Sequence, residues 1–452
     1  MSVLTLGLIF GVVTLLIMFS GISIAFALGI VAIIFMYFFM PASSLDTVAQ
    51  NVYEEMSSIT LMSIPLFILK GAAIGRSSAG KDLYDALHVW MGKVPGGLGV
   101  ANVFACALFA AMAGSSPATC SAIGSAGIPE MRKRGYSPGF AAGIIAAGGT
   151  LGILLPPSIT MILYSVASEQ SLGRLFLAAI GPGVMLVIFF SMYTIMRFRK
   201  EYASAYEAYN LNSAVTSPIL DRHTYTMQQK ISALPRVLPF LVLLIGVMVA
   251  LYGGYATPAE TAGLGSVFAF VLIALIYGMW RFKDLYPLLD VTIRESAMLM
   301  FIIGMSLLFA NVMSYLHLSQ SAAQAIVDLH TSRWLLLAAI LLMVVVLGFF
   351  LPPVSIILMT SPIFLPPLRA AGFDLIWFGV VMTIVMETGL IHPPVGLNIF
   401  VIKNIAPDIT LREIIFGVMP FVAIMIFSVV LLCFFPEIST GLSDWVMGPP
   451  LS

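Results

Sequence analysis

The sequence predicts an all-α polytopic membrane protein made of two inverted-topology repeats, each with five spans, one re-entrant hairpin and one broken helix. Three observations carry this. Of 452 residues, 60% are hydrophobic and 9% charged, where a soluble domain has about 25% charged residues. The chain repeats itself at an offset of 237. Pro129-Glu130-Met131-Arg132-Lys133-Arg134-Gly135-Tyr136, then Gly152-Ile153-Leu154-Leu155-Pro156-Pro157, is answered without a gap. The second copy is Pro366-Pro367-Leu368-Arg369-Ala370-Ala371-Gly372-Phe373, then Gly389-Leu390-Ile391-His392-Pro393-Pro394. Finally, with the N-terminus outside, only Arg174, Arg333 and Arg369 of the 21 Lys and Arg residues fall outside, and Lys70 lies in a span. That asymmetry is what the positive-inside rule predicts. An odd number of crossings per repeat turns the second repeat upside down and leaves both termini on the periplasmic face.

A crossing helix needs about 20 apolar residues. The run 3–40 is too long for one span, and Gly21 after Ser20 divides it into two. With no Lys or Arg before Lys70, the start reads as a retained span rather than a secretory leader. An amphipathic piece at 46–58 precedes a span at 60–75. Residues 79–92 have the helical spacing of a surface helix. Residues 95–131 hold two apolar arms around Gly114-Ser115-Ser116-Pro117-Ala118-Thr119, and the second arm is short for a span. They are expected to enter and leave by the same face. Residues 137–166 are expected to break at Gly148-Gly149-Thr150-Leu151-Gly152, and 172–197 is a further span. The first repeat is therefore 1–198. Residues 199–236 are the only long polar stretch and read as a cytoplasmic linker with too few apolar residues for a core.

The same order returns in the second repeat, 237–452. Spans at 237–252 and 259–280 precede an amphipathic piece at 283–295, a span at 296–313 and a second surface helix at 316–329. A hairpin at 334–370 follows, with its tip at Gly348-Phe349-Phe350-Leu351-Pro352-Pro353. A broken segment at 374–403 and a last span at 411–435 complete the chain. Paired Gly/Pro-interrupted apolar segments point to the binding site of a secondary transporter.

Candidate cation ligands come from the tips and breaks. At the first tip these are Gly114, Ser115, Ser116 and Thr119, with Ser116 as helix N-cap and Pro117 as first helical residue. Their hydroxyls, beside free carbonyls, suit a hard cation such as sodium, and no nearby carboxylate suggests a tight divalent site. Gly348, Thr388, Gly389 and His392 are the candidates of the second copy. Thr150, Gly152, Pro156, Glu387, Pro393 and Asn398 are candidates for substrate. A helix restarting after a Pro-Pro pair aims its positive end into the cavity, which favours an anion. Glu387 is either a functional intramembrane carboxylate or a protonated or capped helix-end group. His392 is either a neutral hydrogen-bonding group or a proton relay. Lys70 is expected to snorkel from a span end. Cys106, Cys120 and Cys433 read as free thiols in apolar runs. Gly124-Ser125-Ala126-Gly127 is a weak nucleophile pattern with no nearby base, so no catalytic residue is expected. An intramembrane hydrolase would need a serine–base pair at one depth, and a mere scaffold would not need the repeated breaks. Net charge is zero, and no phosphate loop, transition-metal spacing or nucleic-acid patch occurs.

Several stretches together resemble a known family. They are Gly114-Ser115-Ser116-Pro117-Ala118-Thr119, Gly135-Tyr136, Leu151-Gly152-Ile153-Leu154-Leu155-Pro156-Pro157-Ser158, Gly181-Pro182-Gly183, Thr257-Pro258-Ala259-Glu260 and Pro393-Pro394-Val395-Gly396-Leu397-Asn398. With these the chain resembles the large membrane subunit of a tripartite ATP-independent periplasmic (TRAP) transporter, in the ion-transporter superfamily. The resemblance implies an elevator-type permease of the bacterial inner membrane. It also implies sodium ions as coupling ions with no other cofactor, and organic-acid substrates such as C4-dicarboxylates. The implied partners are a small four-helix membrane subunit and a periplasmic substrate-binding protein. The chain lacks the four extra spans of a fused small subunit, so that partner is expected as a separate chain. The family often has Thr where His392 stands and an acidic residue where Pro352 stands. A stand-alone ion-coupled carrier or antiporter of the same superfamily would share the repeats and need no binding protein.

Overall fold

The computed structural model describes residues 3–46, 48–92, 94–211, 219, 225–318, 320–321, 324, 332–349, 351–393 and 396–448. Every regular element among them is helical. The chain opens with α1 (Val3–Phe19), α2 (Ile24–Phe39), the short α3 (Ser43–Asp46) and α4 (Val48–Met56), and α5 (Ile59–Arg76). Gly21, at φ +84°, makes the turn between α1 and α2. Next come α6 (Ala79–Met91), α7 (Gly97–Ala113), α8 (Ser116–Lys133), α9 (Pro138–Leu154), α10 (Ile159–Ser168) and α11 (Leu172–Leu211). After the polar stretch follow α12 (Met227–Ala233), α13 (Leu238–Tyr252), α14 (Pro258–Tyr277) and α15 (Phe282–Tyr315). The chain ends with α16 (Arg333–Gly348), α17 (Pro353–Ala370), α18 (Leu375–Ile391), α19 (Leu397–Ile405), α20 (Leu411–Phe434) and α21 (Glu437–Met447).

Helix bounds repeat at the offset found in the sequence. Shifted by 237, α8 becomes 353–370 and α9 becomes 375–391, the bounds of α17 and α18. Among the described residues six helices are long and apolar enough to cross a membrane, and up to eight if each bent pair counts as one span. Shorter apolar helices, α7, α16 and α18 among them, have 10–17 residues.

The core centres on α9 and α18. Every residue of α18 is buried, as is every residue of α9 from Phe140 onward. A helix that is apolar all round belongs inside a protein. Around α9 pack α7, α8 and α20, and α16 packs on α18. Gly139 and Gly143 bring α9 so close to Gly417 of α20 that a Cβ on either side would strike the other backbone. Such close approach of small residues is how membrane helices gain contact without a hydrophobic drive. A second, smaller core joins α1, α2 and α15 through Phe10, Phe35 and Phe309. Outward-facing side chains such as Leu16, Phe38 and Leu275 are apolar and exposed, which suits lipid contact.

Four sequence expectations need correction. The amphipathic piece 283–295 and the span 296–313 are one 34-residue helix, α15; Pro287, in its second turn, removes one backbone hydrogen bond without ending it. The linker is partly helical. α11 runs unbroken to Leu211, and α12 carries a Thr226/Gln229 capping box and packs on α6. Linker residues 212–218 and 220–224 lie outside the described residues, as do 319, 322–323 and 325–329 of the expected surface helix, Phe350 of the second tip, and Pro394. Lys70 does not snorkel: it is 3% exposed in α5, its ammonium 5.1 Å from the Phe67 ring centroid. Finally, α9 does not unwind at Gly148–Gly152; it stays helical to Leu154, and the break falls at Leu155–Ser158, bending the pair by 41°.

Candidate functional site

The first tip is built by its own sequence. Gly114 ends α7 at φ +65°, a conformation costly for any residue with a Cβ. Ser115, not Ser116, is the N-cap of α8: it is extended at φ −140°, and its Oγ accepts from the Ala118 N–H at 3.5 Å. Ser116 and Pro117 are the first two helical residues. Thr119 Oγ1 donates to the Ser115 carbonyl at 2.8 Å. The serines thus tie the turn together before any ligand is considered.

The glycines of α9 make room for this tip instead of unwinding. A Cβ on Gly152 would stand 2.8 Å from the carbonyl carbon and oxygen of Ser115 and 2.9 Å from the Ser116 nitrogen. Gly149 lies against Cys120 Sγ and the Ser116 carbonyl, and Gly148 against Cys106. The first break also faces the tip, with the Pro157 carbonyl 3.2 Å from where a Cβ on Gly114 would lie. Pro156 is buried in the same break. Thr150 turns elsewhere: its hydroxyl donates to the Ala147 carbonyl at 2.6 Å and lies 3.9 Å from Met425 sulfur.

In the second half, Gly389 does what Gly152 does in the first. A Cβ there would stand 2.9 Å from the backbone of Gly348. α18 continues through Ile391, and the chain breaks after it. His392 stacks on Phe349 of the second tip, ring centroids 5.1 Å apart and 20° from parallel. Its Nδ1 meets the Pro393 carbonyl. Thr388 Oγ1 donates back to the Ile384 carbonyl at 2.8 Å.

The halves meet at Ser116. Asn398 Nδ2, at the start of α19, donates to Ser116 Oγ at 2.8 Å and to the Ala146 carbonyl at 3.5 Å. Glu387 of α18 is 1% exposed. Neither of its carboxyl oxygens completes a hydrogen bond among the described residues, nor does Asn398 Oδ1.

A cavity of about 590 Å³ opens beside the first tip, between α8 and the end of α5. Of the expected site residues, only Ser115 lines it. Ser121 and Ser125 continue its α8 wall, and Arg76, Lys81 and Glu295 line it from α5, α6 and α15. Sequence reasoning missed these. The available signal was the spacing Ser115, Ala118, Ser121, Ala122, Ser125 on one helical face; Ser125 was weighed only as a nucleophile.

A helical membrane protein whose helices break and close on each other in this way is a secondary-transporter permease, not an enzyme. The comparisons give the family. The model of the tripartite ATP-independent periplasmic transporter DctM component matches residues 11–438, and the chain belongs to that family. It is 34% identical over 451 residues to the C4-dicarboxylate TRAP transporter large permease protein DctM of Rhodobacter capsulatus, covering 97% of this chain and 98% of that one. To the Pseudomonas aeruginosa DctM it is 33% identical over 422 residues, 93% of this chain and 94% of that one. It is 26% identical to the sialic acid TRAP transporter large permease SiaM of Vibrio cholerae, covering 98% and 99%. Among solved structures, the Alcanivorax borkumensis YdaH transporter is similar in fold, with a TM-score of 0.62, 12% identity, and 96% and 98% of the two chains covered. The chain is thus a multi-pass inner-membrane permease subunit of a tripartite ATP-independent periplasmic transporter.

Proposed function

We propose that this chain imports an organic acid into the cytoplasm, driven by a sodium gradient, after a periplasmic binding protein delivers the substrate. The carrying observation is the first tip. Irregular backbone is tolerated inside a membrane only where protein buries it or where it lines a cavity, and here Ser115 does line a cavity while Gly152 lies against the tip backbone. Sodium sits among the tip carbonyls and hydroxyls of Gly114, Ser115, Ser116 and Thr119. A second cation sits near Gly348, Thr388, Gly389 and His392. The substrate anion enters the cavity beside Ser115, with Arg76 and Lys81 drawing it in. The halves, 1–198 and 237–452, are inverted repeats. Hairpins α7–α8 and α16–α17, with the broken pairs α9–α10 and α18–α19, move as one elevator against the remaining spans. Both termini are periplasmic and the linker cytoplasmic.

The relatives support an acid substrate, since their names include C4-dicarboxylate and sialic acid permeases. They support the partners as well. The family description names the DctM component of a tripartite transporter, and the two further components are taken as a small four-helix membrane subunit and the periplasmic binding protein. The test is uptake by proteoliposomes holding both membrane subunits. With binding protein present, uptake follows an inward sodium gradient. Uptake that ignores sodium, or needs no binding protein, would favour the stand-alone carrier.

A further inference from the structure

We propose that His88, Arg134 and Tyr225 form a proton-sensitive latch that ties the first hairpin to the linker at the cytoplasmic end of the substrate cavity. The latch joins three elements: His88 stands on α6, Arg134 ends α8, and Tyr225 lies just before α12. His88 Nε2 lies 2.6 Å from the Tyr225 hydroxyl and 3.1 Å from Arg134 Nη2. Arg134 Nη2 also donates to the Tyr225 oxygen at 3.2 Å, and its Nε donates to the Glu130 carboxylate at 3.1 Å. Tyr84 stacks on the His88 ring, centroids 5.9 Å apart. These side chains line a second cavity of about 550 Å³. It shares Lys81 and Ser125 with the cavity beside the first tip. A path from that tip therefore runs between α6 and α8 and passes the latch.

The geometry fixes the protonation state. Arginine only donates, so the nitrogen 3.1 Å from Arg134 Nη2 has to be an acceptor. His88 is thus neutral in the closed latch, with its proton on Nδ1. A proton added at Nε2 removes the acceptor and sets a second positive charge against the guanidinium. The other charges do not offset this. Asp85 of α6 and Glu130 of α8 balance Lys81 and Arg134 around the cavity, and Glu130 is held by Arg134. Lys230 of α12 adds a further positive charge, over the Trp90 ring. Packed on the same helix, α7 brings no charged residue, and α5 ends in Arg76 at the first cavity. Repulsion is strongest at contact, so the 3.1 Å approach decides. An ordinary imidazole takes up its proton at about pH 6.5. A second fastening shows which contact opens. Trp90 Nε1 donates to the Lys230 carbonyl at 3.1 Å, which keeps the linker on α6 while the end of α8 comes free. The latch holds the hairpin at neutral pH and releases it as the cytoplasm acidifies.

This inference rests on the import reading for the side the latch faces, and the experiment separates the two. The purified two-subunit membrane complex, without native cysteines, is spin-labelled at Lys133→Cys beside the end of α8 and at Gln228→Cys on α12, both exposed. The distance between the labels is measured at about pH 7.5 and about pH 5.5. With His88 in place, one short distance is expected at the higher pH and a longer population, several-fold enlarged, at the lower. His88→Gln keeps an acceptor oxygen and takes up no proton, so the short distance is expected at both; His88→Asn stands in should that variant not fold. Tyr225→Phe, without the hydroxyl, is expected to show the longer population at both. A distance that ignores pH with His88 in place overturns the proposal. So does a pH shift that persists in the folded His88 variant, or a Tyr225→Phe that behaves as its parent. Sodium-driven uptake by the same complex in proteoliposomes tests the import reading independently, since the distances need no substrate.

Discussion

The two tips share a backbone scheme and differ in chemistry. Each ends an apolar helix, turns within a few residues, restarts with a proline in the first two helical positions, and lies against a helix glycine 237 positions from its counterpart. The first tip is held by hydroxyls: Ser115 caps, Thr119 bonds the Ser115 carbonyl, and Ser116 receives Asn398. The second has no side-chain cap, and an aromatic ring covers it, Phe349 on His392. Geometry has been kept by the repeat while polarity has been concentrated on one side. The difference teaches that glycine contacts set where the tips sit, while the polar side chains that an ion could use are gathered at the first tip.

The largest effects should come where the tips are alike. Gly152→Leu and Gly389→Leu are each expected to abolish uptake with protein still in the membrane, because a side chain there must displace backbone under 3 Å away. Gly152→Ala and Gly389→Ala should already impair it. Near-normal uptake from one leucine variant and none from the other would break the equivalence of the tips.

Ser116→Ala comes next and should act where the tips differ. It leaves the Asn398 amide without its 2.8 Å acceptor, a loss of about 1–3 kcal/mol. Half-saturating sodium is expected to rise about 5- to 150-fold, with substrate binding to the soluble partner unchanged. An equal effect of substitution at Pro353, the matching position, would mean that polarity is not one-sided. A smaller change is expected from Phe349→Ala, since an aromatic pair contributes about 0.5–1.5 kcal/mol. Sodium affinity should then shift by about 2- to 10-fold. His392→Thr sharpens the point: if uptake follows protons, ignores sodium and loses that dependence in this variant, the histidine is the coupling group.

The smallest effect lies far from either tip. The Thr257 backbone N–H and hydroxyl both donate to the exposed Glu260 carboxyl, each at 2.8 Å, and close the cap of α14. Losing such a cap destabilises a helix end. Thermal melting of the solubilised protein should therefore begin slightly lower in Thr257→Ala. The same melting temperature in both would remove this cap from the stability account.

The sequence made the helical class, the offset and the tips legible because glycine, proline and hydropathy act locally. The repeated Gly152 and Gly389 stood out at once. Their role did not, since close packing against a distant tip leaves the same mark as unwinding. Ser116 was mistaken for the cap because Ser115-Ser116-Pro117 admits two registers. Thr257-Pro258-Ala259-Glu260 and Gly135-Tyr136, which carried part of the family resemblance, prove to be a helix cap and a turn packed on Gly99. The meeting of Ser116 with Asn398 was hidden, because residues 282 positions apart in sequence become neighbours only through the fold.

The claim that one plan is built twice and inverted is tested most directly at matched positions. Lys133 and Ala370 lie 237 residues apart, at or beside the ends of α8 and α17, and both are exposed. In a background without native cysteines, Lys133→Cys and Ala370→Cys are treated with an impermeant thiol reagent in spheroplasts. The account predicts that Ala370→Cys reacts at once and Lys133→Cys only after permeabilisation. Reaction of both from the same side would contradict it.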